Sequence, residues 1–160
     1  MENKNKLMIE RVFNAPRELV WQAWTDPEMI KQWWGPKDVS IPECEIDLMV
    51  GGKIYIVMEA GKAMGKYKGK KWPMLGKFTF IEPKVKLAYS VQAWTEGNKE
   101  ETLIDQSTDL TLSEEKGKTK LILNAIVYKT GPQAEMAVQG MELGFNQQLD
   151  KLEKFLSIKK

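Results

Sequence analysis

The chain has 160 residues, of which 42% are hydrophobic and 29% are charged, and its formal net charge is +2. This composition predicts one soluble globular domain with a real core, spanning residues 1–160, and the small net charge gives no reason to expect a nucleic-acid partner. The chain has no histidine and one cysteine, which excludes Ser-His-Asp and Cys-His catalysis, the usual zinc sites and an internal disulfide.

The cellular location is predicted from two absences in the sequence. Cys44 is the single cysteine, and no secretory apolar segment opens the chain, so we expect a cytoplasmic protein. No apolar run has the length needed to span a membrane. We therefore expect no membrane span, no metal and no cofactor.

The first part of the chain predicts one strand and two short helices. Apolar side chains alternate along residues 7–13, with Arg11 as the one polar exception on their face. Pro16 favours a helix start, and Asp26-Pro27 favours a second one because Asp caps a helix and Pro suits its first turn. Gly35-Pro36 is expected to end the second helix.

From Val39 the hydrophobic pattern has a period of two, which is typical of strands. Short turns between the strands predict an antiparallel meander, with Gly51-Gly52 supplying positive φ in one hairpin. Residues 61–71 hold three glycines, five lysines and no acidic residue, and predict a mobile loop. The expected strands are residues 39–48, 54–58, 76–81, 85–93, 103–112 and 119–128.

The segment Gly131–Lys160 predicts an amphipathic helix of roughly seven turns. Its apolar stripe comprises Ala134, Val138, Met141, Phe145, Leu149, Leu152 and Leu156. We expect the last three to lie in dense core, and Val138, Met141 and Phe145 to lie where a cavity touches the helix.

The order of the elements predicts an α+β fold of the form β-α-α-β6-α. A curved antiparallel sheet of about seven strands would surround the long C-terminal helix, because long sheets twist and curl. Such a sheet encloses more space than aliphatic side chains easily fill, so the order of elements favours an internal cavity.

Several motifs resemble a known family. They are Arg11–Trp21, Trp24–Glu28, Trp33–Pro36, Cys44–Leu48, Val50–Gly52, Gly76–Phe78, Ile81–Pro83, Gly144–Phe145 and Leu149–Leu152. In these motifs the chain resembles the family named for the activator of heat-shock-protein-90 ATPase, C-terminal domain, within the START-like (SRPBCC), birch-pollen-allergen-like superfamily. The resemblance extends over nearly the whole domain. It implies a helix-grip fold with a hydrophobic cavity between the sheet and the long helix.

The candidate cavity residues are aromatic, aliphatic or methionine side chains expected to face inward. They are Trp24, Trp33, Trp34, Ile54, Ile56, Met58, Phe78, Phe80, Tyr89, Val91, Leu110, Val138, Met141 and Phe145. A core role is the alternative for Trp24, Met141 and Phe145. Trp33 and Trp34 are adjacent on a short helix, so we do not expect both to face the core.

Two charged clusters favour a surface role. Glu43, Glu45 and Asp47 alternate along one strand, about 7 Å apart, and no histidine joins them, so a solvated or edge-protecting face is favoured over a metal or acid–base site. The lysines of residues 61–71 favour a solvated loop over contact with an anionic partner or membrane surface.

We expect a non-enzymatic domain that binds a small hydrophobic or aromatic ligand between the sheet and the C-terminal helix, as a monomer or weak homodimer. Tyr89 or a Trp indole would orient one polar group of the ligand. The alternative is a module that regulates the ATPase of the heat-shock-protein-90 chaperone, which predicts an exposed apolar patch. A cyclase or hydrolase is a third hypothesis, and it needs an ionisable cavity side chain with a displaced pKa.

Overall fold

The computed structural model describes residues 4–35, 37–97, 104–128 and 141–159. Its elements are β1 (Lys4–Phe13), α1 (Arg17–Thr25), α2 (Pro27–Trp33), β2 (Val39–Ile46), β3 (Lys53–Ala60), a 3-10 segment (Lys62–Tyr67), β4 (Lys71–Glu82), β5 (Lys86–Ala93), β6 (Ile104–Glu115), β7 (Lys118–Tyr128) and α3 (Met141–Lys159).

All seven strands form one antiparallel sheet in the order β1-β7-β6-β5-β4-β3-β2. The predicted α+β class, strand number and element order are confirmed. Because β1 and β2 are the two edges, α1 and α2 carry the chain from one edge of the sheet to the other. α1 contacts β6, β7 and α3, and α2 contacts β2 and α3. The short helices therefore lie across the inner face of the sheet.

The predicted helix starts are confirmed by local hydrogen bonds. The Asp26 carboxylate accepts a hydrogen bond from the backbone N–H of Glu28 at 2.9 Å, with Pro27 in the first turn of α2. Pro16 precedes α1, and its carbonyl accepts the first helical hydrogen bonds. Gly35 follows α2 with a φ of +88°, a conformation that favours glycine.

The C-terminal helix buries the second half of its apolar stripe in the core, as predicted. Leu149 and Leu152 are completely buried, and Leu156 is 2% exposed. The predicted helix start at Gly131, with Ala134 and Val138, lies outside the described residues. No helix in residues 141–159, or elsewhere in the described ranges, is long and apolar enough to cross a membrane.

Polar side chains of α3 hold the loop that follows α2. The Lys151 ammonium donates hydrogen bonds to the carbonyl oxygens of Trp34, at 3.0 Å, and Val39, at 3.1 Å. The buried Gln148 amide oxygen accepts a hydrogen bond from the Gly35 N–H at 3.0 Å. Partial burial lowers the pKa of Lys151. The position of Trp34 is therefore tied to α3.

The contacts of Arg11 explain why a polar side chain lies on the apolar face of β1. Its guanidinium lies 2.7 Å from the Asp150 carboxylate and donates a hydrogen bond to the Asn146 side chain at 3.1 Å. The inward-facing charge of β1 therefore contacts the polar flank of α3.

Two turn predictions need correction. In the hairpin after β2 only Gly51 has positive φ, at +84°, whereas a Cβ on Gly52 would collide with the Asp47 carbonyl oxygen. The second glycine therefore serves close packing of the backbone. Residues 61–71 were predicted as a loop, but they contain the 3-10 segment, and β4 already begins at Lys71; the mobility of this segment stays a prediction.

Candidate functional site

A small cavity lies between the two short helices and the inner face of strands β2–β5. Its walls are formed by Trp24, Ile30, Trp34, Ile46, Ile54, Ile56, Met74, Phe78, Leu87, Tyr89 and Val91. Among the described residues, no side chain of α3 contributes to these walls. The predicted location is therefore corrected: the cavity lies under α1 and α2 and does not reach the described part of the C-terminal helix.

The cavity is narrow and apolar. The space wide enough for water has a volume of about 20 Å³, enough for roughly one water molecule. Every lining side chain is uncharged at neutral pH, and most are hydrocarbon.

Three tryptophans form a packed cluster at the helix side of the cavity. The ring centroids of Trp24 and Trp33 are 4.8 Å apart, and those of Trp24 and Trp34 are 5.7 Å apart, both in edge-to-face arrangements. Both Trp33 and Trp34 are buried, contrary to the prediction for adjacent residues. The reason is that α2 ends at Trp33, and Trp34 has an extended backbone with a ψ of 151°, so helical spacing no longer sets its direction.

The indole N–H groups of two of these tryptophans differ in their hydrogen bonding. The Trp33 N–H donates to the Ala23 carbonyl oxygen at 2.9 Å. The Trp24 N–H is buried, and no acceptor within the described ranges pairs with it. A buried donor without an acceptor costs about 1–3 kcal/mol. Trp24, one of the wall residues, therefore carries a buried polar atom that is unsatisfied within the described ranges.

Tyr89 is the lining residue that carries a hydroxyl group. Its partner across the sheet is Thr108, on β6. Thr108 in turn accepts a hydrogen bond from the Gln106 amide at 2.7 Å. Burial raises the pKa of Tyr89, so its hydroxyl stays neutral at physiological pH.

Half of the predicted cavity residues line the observed cavity. These are Trp24, Trp34, Ile54, Ile56, Phe78, Tyr89 and Val91.

The other predicted cavity residues lie elsewhere. Trp33 and Leu110 are completely buried in the core, while Met58, Met141 and Phe145 are only partly buried and do not line the cavity. Val138 lies outside the described residues.

Phe80 was predicted to face the cavity, and this prediction is wrong because its side chain is 45% exposed. Phe78 pairs with Tyr89 but Phe80 pairs with Ala88, so Thr79 is an extra residue in β4. Such a bulge reverses the alternation of side chains between the two faces of the sheet. Phe80 therefore points outward.

Four cavity residues were missing from the prediction: Ile30, Ile46, Met74 and Leu87. Leu87 could have been found, because it has the same strand parity as Tyr89 and Val91. Ile46 pairs with Ile54 and Met74 pairs with Ile56, so each lies beside a predicted residue only once the strand register is known.

The acidic row on β2 and the turn after it face solvent, as predicted. Glu43, Glu45 and Asp47 are exposed, and Glu45 lies 3.5 Å from the Lys53 ammonium. No cluster within the described ranges has the residues to hold a metal ion. Cys44, on the other face, is half-buried, and burial raises the pKa of its thiol to about 12.

A second apolar feature lies on the surface, in the turn between β2 and β3. Leu48, Met49 and Val50 are 43%, 58% and 63% exposed. The turn is fixed against β4, because the Gly51 N–H donates a hydrogen bond to the Phe78 carbonyl oxygen at 2.8 Å.

Comparisons with known proteins agree with this architecture. The family model described as "Activator of Hsp90 ATPase homolog 1-like protein" matches residues 14–157. A crystal structure from Nitrosomonas europaea has a TM-score of 0.76 at 24% identity, covering 97% of this chain and 96% of its own. One from Chromobacterium violaceum has a TM-score of 0.76 at 22% identity, covering 95% and 96%. The AHSA1 protein of Silicibacter pomeroyi has a TM-score of 0.75 at 22% identity, covering 98% and 100%. At these identities the structures establish the fold alone. A search of curated proteins finds no match.

Proposed function

This chain belongs to the family of Activator of Hsp90 ATPase homolog 1-like proteins, and we propose that it binds a small, neutral hydrophobic or aromatic molecule in the cavity between α1–α2 and the sheet. The observation that carries the proposal is the set of walls: uncharged side chains from both layers of the fold, including Trp24 and Trp34, surround one space. Apolar walls with a few polar atoms are typical of small-molecule sites.

The size of the cavity restricts the ligand to a compact molecule and requires the walls to move. A cavity that accommodates benzene has a volume of about 150 Å³, whereas the space here is about 20 Å³. Met74 is unbranched and can change its shape at low cost. Burying about 200 Å² of ligand surface contributes about 5 kcal/mol to binding. The free-energy costs of widening the cavity and of immobilising the ligand reduce this contribution. We therefore expect weak binding of one-ring compounds.

A binding role, rather than catalysis, is supported by the chemistry of the walls. Within the described ranges no carboxylate, lysine or cysteine lines the cavity, and Tyr89 is the one ionisable group there. Its raised pKa makes it a poor proton acceptor at neutral pH. We accordingly propose that the protein has no catalytic site in this cavity.

The test compares a cavity-enlarging variant with a matched core variant. Leu87 lines the cavity and is 1% exposed, whereas Leu123 on β7 is equally buried and does not line it. Both Leu→Ala changes should cost about 2–5 kcal/mol of stability. Only Leu87→Ala should strengthen binding of toluene and indole, by roughly tenfold or more, in calorimetric titrations. Absence of saturable binding to the wild type and to Leu87→Ala, or equal strengthening in Leu123→Ala, would contradict the proposal.

A second candidate function is regulation of the Hsp90 ATPase, and the exposed turn Leu48–Val50 favours it. Three consecutive apolar residues facing solvent are unusual outside contact surfaces. If this turn contacts the chaperone, the protein should change ATP turnover by Hsp90, and Met49→Lys should abolish the change. Met8→Lys is the control, because Met8 is 66% exposed on the other edge strand. Unchanged turnover with the wild type would remove this candidate.

A further inference from the structure

The connection between β3 and β4 is rich in lysine, and we call residues 61–71 the basic segment. It holds five lysines and no acidic residue, whereas the formal net charge of the whole chain is only +2. The rest of the chain is therefore net negative, and the excess positive charge is concentrated in this connection. Such a charge asymmetry favours an anionic partner.

The backbone of the basic segment is closed by hydrogen bonds to the end of β3. The Gly69 N–H donates to the Ala60 carbonyl oxygen at 2.9 Å, and the Ala60 N–H donates to the Lys70 carbonyl oxygen at 2.9 Å. The Lys70 N–H donates to the Tyr67 carbonyl oxygen at 2.8 Å. The segment therefore forms a closed turn, and its lysines are brought close together at one end of the sheet.

The charges of the basic segment are not neutralised by neighbouring carboxylates. Its exposed lysines are Lys62, Lys66, Lys68 and Lys70. Ion pairs form at other surface lysines, namely Lys31, Lys53, Lys84 and Lys120. Within the described ranges, no lysine of the basic segment forms one, although Glu59 lies opposite Lys71 in the β3–β4 ladder. The positive charge of the segment is therefore available to a partner.

Tyr67 adds an aromatic ring to the same surface. Its side chain is 39% exposed, and the ammonium groups of Lys66 and Lys70 lie 5.2 Å and 5.7 Å from the centre of its ring. Tyrosine is enriched at membrane–water interfaces, because its ring is apolar and its hydroxyl is polar. A lysine can lay its apolar stem at the same depth while its ammonium contacts an anionic headgroup. The combination therefore matches the headgroup region of an anionic bilayer.

Two other kinds of anionic partner fit the basic segment less well. Acidic peptides and phosphate groups are recognised best by arginine, whose planar fork fixes the geometry, and the segment has no arginine. Single-stranded nucleic acid is bound by stacking successive bases on several aromatic side chains, whereas Tyr67 is the one aromatic residue of the segment. An anionic lipid surface requires only a high local density of positive charge.

From these observations we infer that the basic segment docks the protein onto an anionic phospholipid surface. The exposed lysines supply the electrostatic attraction, and the Tyr67 ring enters the headgroup layer. No residue of the segment lines the cavity under α1 and α2. The docking surface and the cavity are therefore separate sites, and each is tested without the other.

The experiment measures binding to vesicles of phosphatidylcholine and phosphatidylserine in a ratio of about two to one, with pure phosphatidylcholine as the neutral reference. The wild type should bind the anionic vesicles, and added salt should weaken binding because exposed charges are screened. A triple variant with Lys66→Gln, Lys68→Gln and Lys70→Gln should bind roughly a hundredfold more weakly, since each lysine contributes about fivefold.

The matched control removes the same charge from the opposite end of the sheet. It carries Lys84→Gln, Lys116→Gln and Lys118→Gln, which replace exposed lysines of the β4–β5 and β6–β7 turns. This variant should bind nearly as well as the wild type. An equal loss in both triple variants would overturn the inference, because net charge alone would then explain binding. Retention of the wild type on oligothymidylate or poly-glutamate, with no binding to anionic vesicles, would also overturn it.

A second measurement on the wild type locates the contact. In ¹⁵N–¹H spectra, bicelles of the same anionic composition should shift or broaden the amide signals of residues 62–70 more than those of any other segment. Changes confined to the exposed apolar turn Leu48–Val50 would place the contact on a different surface and overturn the inference.

Discussion

The unequal hydrogen bonding of Trp24 and Trp33 predicts an unequal response to the same substitution. Trp→Phe at either position removes the same atoms from a buried, edge-to-face cluster. The loss of apolar area and ring contacts is therefore similar in the two variants. They differ in the fate of one N–H group, which donates to the Ala23 carbonyl in Trp33 and, among the residues that the structure describes, has no partner in Trp24.

The size of the difference follows from the two hydrogen-bonding terms. Trp33→Phe loses a hydrogen bond with a net contribution of about 0.5–1.5 kcal/mol, and Trp24→Phe removes an unsatisfied donor that costs about 1–3 kcal/mol. The space left by the smaller ring also favours Trp24→Phe. Trp24 already borders a cavity, whereas Trp33 is completely buried and does not line it. We expect Trp33→Phe to be less stable than Trp24→Phe by about 2–4 kcal/mol.

Urea unfolding of the two variants measures this difference directly. The free energies of unfolding are compared by linear extrapolation, and equal m-values serve as the control that both variants unfold from equally compact states. Equal stability of the two variants, or lower stability of Trp24→Phe, would refute the reasoning. In that case the Trp24 N–H would have a partner in solution.

Three further predictions follow from the fold. Phe78→Ala should cost about 3–5 kcal/mol in urea unfolding. Phe80→Ala should cost only about 1 kcal/mol, because the Phe80 side chain is 45% exposed and its ring lies 5.5 Å from the Lys86 ammonium; similar costs would place the bulge elsewhere. The raised pKa of Cys44 contributes stability that is present below pH 9.0 and is lost as pH rises toward about 12. Cys44→Ser should remove that loss, and at pH 8 the wild-type thiol should react with iodoacetamide much more slowly than a free cysteine. Gly52→Ala should lower the melting temperature more than Gly51→Ala, because a Cβ at position 52 would collide with the backbone. A Cβ at position 51 meets open space, and its positive φ costs about 1 kcal/mol. A larger loss in Gly51→Ala would contradict the turn geometry.

Periodicity in the sequence predicted the elements whose side chains have one clear direction. The spacing of Leu149, Leu152 and Leu156 fixes one face of α3, and all three are buried. Asp26 and Pro27 predicted the start of α2, because capping depends on residues that are adjacent in sequence. Local signals of this kind do not depend on how distant segments pack.

The cavity depends on distant packing, and its prediction was correspondingly incomplete. The bulge at Thr79 has no glycine or proline signal, so the outward turn of Phe80 could not be read from alternation. Trp34 is buried because α2 stops one residue earlier, at Trp33. Met74 became a wall residue through its pairing with Ile56, a register that the sequence does not specify.

The volume of the cavity could not be predicted from the composition either. The curled sheet and the order of elements favoured an internal cavity, but the space between α1–α2 and the sheet has a volume of only about 20 Å³. How large side chains divide between filling and lining a space is decided by rotamers in the folded state.

A compact apolar molecule is proposed to enter the space between α1–α2 and the sheet. Intermolecular nuclear Overhauser effects between toluene and the methyl groups of the wild-type protein test it most directly. We expect contacts from toluene to Ile54, Ile56 and Val91, which line the cavity and are almost completely buried. Contacts confined to the exposed side chains of Leu48, Met49 and Val50 would contradict it.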